Sequence, residues 1–198
     1  MLSLSHQLLI AKARALVGTG LVAEIALDET SSDGDASVGF LHVRARPSWD
    51  LAFVQHCGYW SHRDPSTGRS SWPIPRNITR SELAQFGTAR RILHERPSTG
   101  DIFLQYGPSR KAFVHVGIVM AVLDEGAYEL EAPYFDLYTV EGDTGVHGQL
   151  RGGKTLRVRR RLCPGRGDRF LSWMELDPHV QQLARSLSLP AASIIRCA

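Results

Sequence analysis

Within the stretch PSWDLAFVQHCGYW, residues 47 to 60, the candidates for a nucleophile are Asp50 and Cys57. On a helix, positions seven apart face nearly the same way but lie ~10.5 Å apart along the axis, too far for one histidine to serve both. Asp50 falls in the first turn, where the macrodipole favours an anion and an acid can also cap the helix. Cys57 falls near the other end, where the dipole disfavours a thiolate, so it reads as a buried structural thiol. Further on, His115 sits in the apolar run AFVHVGIVMAVL, and Glu141 and Asp143 stand two apart in YTVEGDTG.

The other histidines of interest, His56, His62 and His94, are scattered over a helix end, a loop and another helix end without ligand spacing, and read as exposed or capping groups. Trp49, Trp60 and Trp72 flank the Asp50 stretch and are candidates to line a glycan- or peptide-binding groove. Core packing explains Trp49 equally well.

The elements that must position these groups follow from periodicity. Leu4, Leu8, Leu9, Ala13, Leu16 and Val17 predict a helix over residues 4 to 18, ended by Gly18 and Gly20. A Ser-, Asp- and Gly-rich loop, ALDETSSDGDASVG, follows. Ser48 is placed to cap a helix from Trp49 to about Tyr59, and Thr79 or Ser81 to cap one over SELAQFGTARRILHE, residues 81 to 95. After Pro97 and Gly100 the segments DIFLQY, AFVHVGIVMAVL, YELEA, DLYTVEG and KTLRVRRRL are short and rich in β-branched and aromatic residues, as in an antiparallel sheet. From Gly165 the chain reads as helical again, with Asp177 and Pro178 starting a helix and Trp173, Met174, Leu176, Val180 and Leu183 forming an apolar stripe. Helices followed by strands make an α+β protein. Its expected organisation is one domain over residues 1–164 with a short helical extension, 165–198, packed on it.

Bulk composition agrees with one ordinary domain: 198 residues, 43% hydrophobic and 22% charged. The net charge of +3 rests almost wholly on arginine, with a visible cluster in LRVRRRL, residues 156 to 162. Such a cluster suits phosphate or another acidic polymer, but no aromatic residue interleaves with it in the sequence, so nucleic acid is not an expected partner and a solvated strand face is the plainer reading. Three cysteines without a CxxC spacing argue against a disulfide framework. The N-terminus is broken by His6, Lys12 and Arg14, and no stretch approaches the ~20 apolar residues of a membrane span. The expected location is the cytoplasm, or export by a route that uses no cleaved signal peptide.

Three stretches in order, SWDLAFVQHCGYW, STGDIFLQYGPSRKAFVHVGIVMAV and YTVEGDTG, resemble the motifs of CHAP domains, the cysteine- and histidine-dependent amidohydrolases and peptidases of papain-like fold that mostly cut bacterial peptidoglycan. The resemblance covers roughly residues 45 to 162 and is most specific in GDIFLQY and HVGIV. It implies a papain-like α+β fold, with a thiolate at a helix N-terminus, where dipole and free N–H groups lower its pKa, a histidine on a strand to take its proton, and a polar residue to orient that histidine.

Carried over by position, the resemblance places His115 on the histidine and Glu141 on the orienting glutamate, but Asp50 where the cysteine belongs and Asp143 where an asparagine belongs. A carboxylate is a poor nucleophile toward an amide, so the implied function is that of a degenerate amidase or endopeptidase scaffold without cysteine hydrolysis. Such a scaffold would bind or regulate through a peptidoglycan fragment, a peptide or a protein partner. Two alternatives are an active cell-wall hydrolase with an altered or non-thiol nucleophile, and a metal enzyme. In the latter, Asp50, His115, Glu141 and Asp143 would converge on a divalent cation, relieving the repulsion of crowded carboxylates; otherwise no cofactor is implied.

Overall fold

The computed structural model describes residues 4–17, 48–76, 78–126, 133–144, 154–176 and 181–182, and their side chains except at 4–6, 125–126, 143–144 and 154–156. Among the described residues three helices precede six strands: α1 (Leu4–Ala15), α2 (Trp49–Ser61) and α3 (Arg80–Arg90). Each helix buries an apolar face: Leu9, Ala13 and Leu16 from α1, Leu51, Phe53, Val54 and Cys57 from α2, and Leu83 and Ala84 from α3. The start of α3 is fixed by a reciprocal cap, in which Glu82 N donates to Thr79 Oγ1 at 3.2 Å and Thr79 N donates to Glu82 Oε2 at 2.6 Å.

Helix α3 stops earlier than its sequence pattern predicts. Arg91 turns left-handed at φ 59°, its N–H donating to Thr88 O and that of Ile92 to Gly87 O, which closes the helix. Leu93–His94 then become strand β1, whose register pairs Leu93 with Leu171 and His94 with Phe170. The three-to-four spacing that ran through Leu93 yields to this pairing, which no local pattern contains.

The remaining strands are β2 (Ile102–Gly107), β3 (Ala112–Gly126), β4 (Tyr134–Thr144), β5 (Lys154–Leu162) and β6 (Arg169–Leu171). They form one antiparallel sheet in the order β1-β6-β2-β3-β4-β5. Strand β6 lies in the stretch expected to be helical; Phe170 and Leu171 are fully buried and slot between β1 and β2. Trp173 and Met174 follow in a single 3-10 turn, Trp173–Leu176, and are buried. The expected helix from Asp177, apart from residues 181–182, lies outside the described residues, as do the strand expected at YELEA and the loop after α1.

Strand alternation gives the sheet two faces. Ile102, Leu104, Val116, Ile118, Val140 and Leu171 pack with the helices. Phe103, Val119, Phe135, Leu137, Leu162 and Phe170 form a second cluster on the opposite face. Two glycines let the elements close up around the candidate site. A Cβ on Gly142 would stand 2.6 Å from Phe53 Cβ and 3.1 Å from Trp49 O, so β4 receives α2 at backbone distance; one on Gly117 would stand 2.8 Å from Glu141 Cγ.

Candidate functional site: an ion network at the start of helix α2

The ladder between β3 and β4 runs from Ile118 paired with Val140 toward Gly126. Just before it, the N–H of Val116 donates to Asp50 Oδ2 at 3.0 Å, so the first turn of α2 completes the edge of β3. Asp50 is entirely buried there. Its Oδ1 accepts from Leu51 N at 2.9 Å and Arg80 Nη2 at 2.7 Å. Its Oδ2 accepts from Arg80 Nε at 2.9 Å and also faces His115 Nδ1 at 2.9 Å. Ser48 occupies the N-cap position but its side chain makes no cap bond. Asp50 is thus more than a first-turn acid: it joins two helices and a strand.

His115 continues the chain. Its Nε2 faces Glu141 Oε2 at 2.8 Å, and its ring lies 5.9 Å from that of Phe103. Glu141 is also fully buried. It accepts from Thr139 Oγ1 at 2.5 Å, from Arg160 Nε at 2.6 Å and from Arg160 Nη2. Arg160 Nη1 reaches Gln105 Oε1 at 3.4 Å. The whole is a row of alternating charge, Arg80, Asp50, His115, Glu141, Arg160.

Electrostatics follow from this order. Burial pushes the Asp50 carboxyl up, but hydrogen bonds from His115 and Arg80 and their charges overcome it and bring the pKa down to about 2. Glu141 is held below its ordinary range in the same way, against burial, by Arg160 and His115. Burial favours neutral His115, yet hydrogen bonds to Asp50 and Glu141 and their charges raise its pKa. Both ring nitrogens face carboxylate oxygens, an arrangement that favours the imidazolium, in which both nitrogens donate. In this state it has no lone pair with which to accept a proton.

Of the residues singled out in the sequence, Asp50, His115 and Glu141 come together. Asp143 lies on β4 two positions beyond Glu141, and its side chain is outside the described residues. Asp50 and Glu141 take opposite nitrogens of His115 and so do not converge with it on one point. Among the described residues no group of three or more His, Cys, Asp or Glu is arranged to hold a metal ion. Cys57 is fully buried in the helix-side core, and burial pushes its thiol far up.

The three tryptophans have different surroundings. Trp49 is half-buried, its carbonyl against Gly142. Trp60 is 41% exposed, with Lys12 and Arg63 over its ring. Trp72 packs against the core: its ring centroid is 4.9 Å from that of Trp173, its indole covers Gly58, and Nε1 donates to Gln55 Oε1 at 2.9 Å. His62 packs between Trp72 and Trp173, His94 Nε2 pairs with Glu175 Oε1 at 2.6 Å, and His56 lies against Trp60.

Arg80, Arg160, Thr139 and Gln105 were not among the sequence candidates. Arg160 did carry a signal: Val158 and Leu162, two positions to either side, share its face, which marks it as the inward member of the arginine run. No helix among the described residues is long and apolar enough to cross a membrane. Compared with known proteins, the chain matches no protein family, no curated protein and no solved structure.

Proposed function

We propose that this chain is a CHAP-like scaffold that binds cell-wall peptidoglycan fragments without cutting them, its former reaction centre converted into an internal ion network. The observation that carries this reading is the saturation of Asp50. Where the resemblance calls for a thiolate, the chain has a buried carboxylate whose two oxygens receive five donors, including both arms of Arg80. Thiol-dependent amide cleavage needs a nucleophile and a neutral imidazole to take its proton. Asp50 supplies no thiol, and both nitrogens of His115 are already engaged by buried carboxylates. Cys57 is no substitute, since burial raises its thiol pKa and outweighs the lowering by the charge of Lys12.

Incubation of the purified protein with insoluble peptidoglycan tests this, with sedimentation reporting binding and mass analysis of the supernatant reporting cleavage. The expected result is co-sedimentation without released fragments. Fragment release that disappears in the His115→Ala variant would show a working hydrolase, and failure to co-sediment would remove peptidoglycan as the ligand.

A further inference from the structure

Among the described residues strand β5 is the last of the sheet, and alternation splits its arginines. Arg160 turns inward to Glu141, whereas Arg157, Arg159 and Arg161 share the other side and are exposed, Arg159 by 66% and Arg161 by 46%. Strand β4 lays two tyrosines beneath them. The Arg157 guanidinium lies 4.3 Å from the centre of the Tyr138 ring, and that of Arg161 lies 4.1 Å from Tyr134. Between the two stacks, Asp136 accepts from Arg161 Nε at 2.7 Å and Nη2 at 2.8 Å, and from Arg159 Nη2 at 3.2 Å. Across the ladder from Asp136 stands Asp124 of β3. Three guanidinium groups therefore share this face with two carboxylates, of which Asp136 holds Arg159 and Arg161 in place.

We propose that this sheet edge binds single-stranded nucleic acid, its phosphates on the arginine forks and its bases against the arginine–tyrosine stacks. Arginines at every second strand position recur each ~6.6 Å, a spacing suited to successive phosphates of an extended chain. Charged residues on an edge strand also discourage sheet-to-sheet pairing, but that purpose needs no aromatic ring under each guanidinium. The rings, half-buried on the neighbouring strand, give the array flat π-surfaces on which bases stack without regard to sequence. Those surfaces favour a nucleic acid over a polyol phosphate, which has nothing to stack. The linear sequence hid this interleaving because the aromatics belong to β4. Since these side chains point away from Arg160, the proposal stands independently of the Asp50 network.

Fluorescence anisotropy of the full chain with a labelled oligothymidylate of about 20 nucleotides provides the test. Affinity is expected to fall with salt with a log–log slope of about −1.4, from roughly 0.7 per phosphate held by Arg157 and Arg159, the fork of Arg161 being paired with Asp136. The Arg157→Ala/Arg159→Ala variant keeps the Arg161–Asp136 pair; it should bind about tenfold or more weakly, with a slope shallower by about 1.4. Tyr138→Leu keeps every charge and should weaken oligothymidylate binding while leaving inorganic polyphosphate binding unchanged. An unaltered melting temperature shows that the variants are folded, and Arg157→Glu alone replaces the double variant if that one melts early. Absence of salt-dependent binding, or equal binding by the arginine variant, overturns the proposal. So does polyphosphate binding as tight as oligothymidylate with no effect of Tyr138→Leu, which would make the edge a site for phosphate polymers alone.

Discussion

Arg80 grips Asp50 with two nitrogens, at 2.7 and 2.9 Å, across thirty residues of sequence. The pair joins the first turns of α2 and α3, and through Val116 N and His115 Nδ1 it joins both to β3. A carboxylate offers about four lone-pair directions, and five donors converge on this one. Asp50 therefore has no capacity left for a substrate or a cation unless Arg80 lets go.

Removing Asp50 should be costly. The Asp50→Ala variant would leave His115, only 2% exposed, and Arg80, 25% exposed, short of an anion, and would leave Val116 N without its acceptor. Breaking a buried pair by deleting one partner costs about 3–5 kcal/mol. Urea unfolding should show a loss of that size for Asp50→Ala and a smaller one for Arg80→Ala, whose partly solvated side chain gives up less. A loss below about 1 kcal/mol for Asp50→Ala would mean that the network is not what holds these elements together.

Asp50, His115 and Glu141 were singled out through the motif resemblance, while strand parity alone would have turned Arg160 inward. Arg80 was not legible: it follows a clear helix cap, and nothing local shows that its guanidinium reaches back to another helix. The strands β1 and β6 were missed for a related reason. Leu93 continues a helical spacing and Arg169–Leu171 precede an apolar stripe, but each segment becomes a strand by pairing with partners distant in sequence, as in Leu93 with Leu171 and Leu104 with Arg169. Short-range patterns rank local preferences, and here long-range pairing overrides them.

Cys57 should be chemically silent in the folded protein. Its sulfur is fully buried and burial holds the thiol protonated, so almost no thiolate is present to react. Iodoacetamide followed by peptide mass mapping should modify Cys163, which is half-buried, well before Cys57, and should modify both once urea unfolds the chain. Rapid native-state labelling of Cys57 would reveal an opening of the α2 core.

Gly142 sets the distance between β4 and α2. In Gly142→Ala the new methyl would meet Phe53 Cβ at 2.6 Å, closer than carbon atoms tolerate, and α2 would have to move outward. Overpacking of this kind costs about 1–3 kcal/mol. Because Asp50 rides on the first turn of α2, the displacement should also lengthen its contact with His115. A shifted His115 ring resonance in NMR, together with the lowered melting temperature, would distinguish this from a purely local strain.

The network also fixes how stability varies with pH. Asp50, lowered from 3.8 to about 2, and Glu141, lowered from 4.5, bind fewer protons folded than unfolded. Their contribution is present above those ordinary values and is lost as pH falls through the lowered ones. Asp168, raised above 3.8 by burial, works in the opposite sense on the acid side. His115 is raised above 6.5, so its contribution is complete below that value and is lost as pH rises through the folded-state pKa. Melting temperature should therefore be highest between 4.5 and 6.5, the ordinary values of Glu141 and His115, and decline on both sides. Asp50→Asn should flatten both limbs, since it removes a titrating carboxylate and one of the two anions that hold the proton on His115. An alkaline limb of unchanged steepness in that variant would assign the loss to groups other than His115.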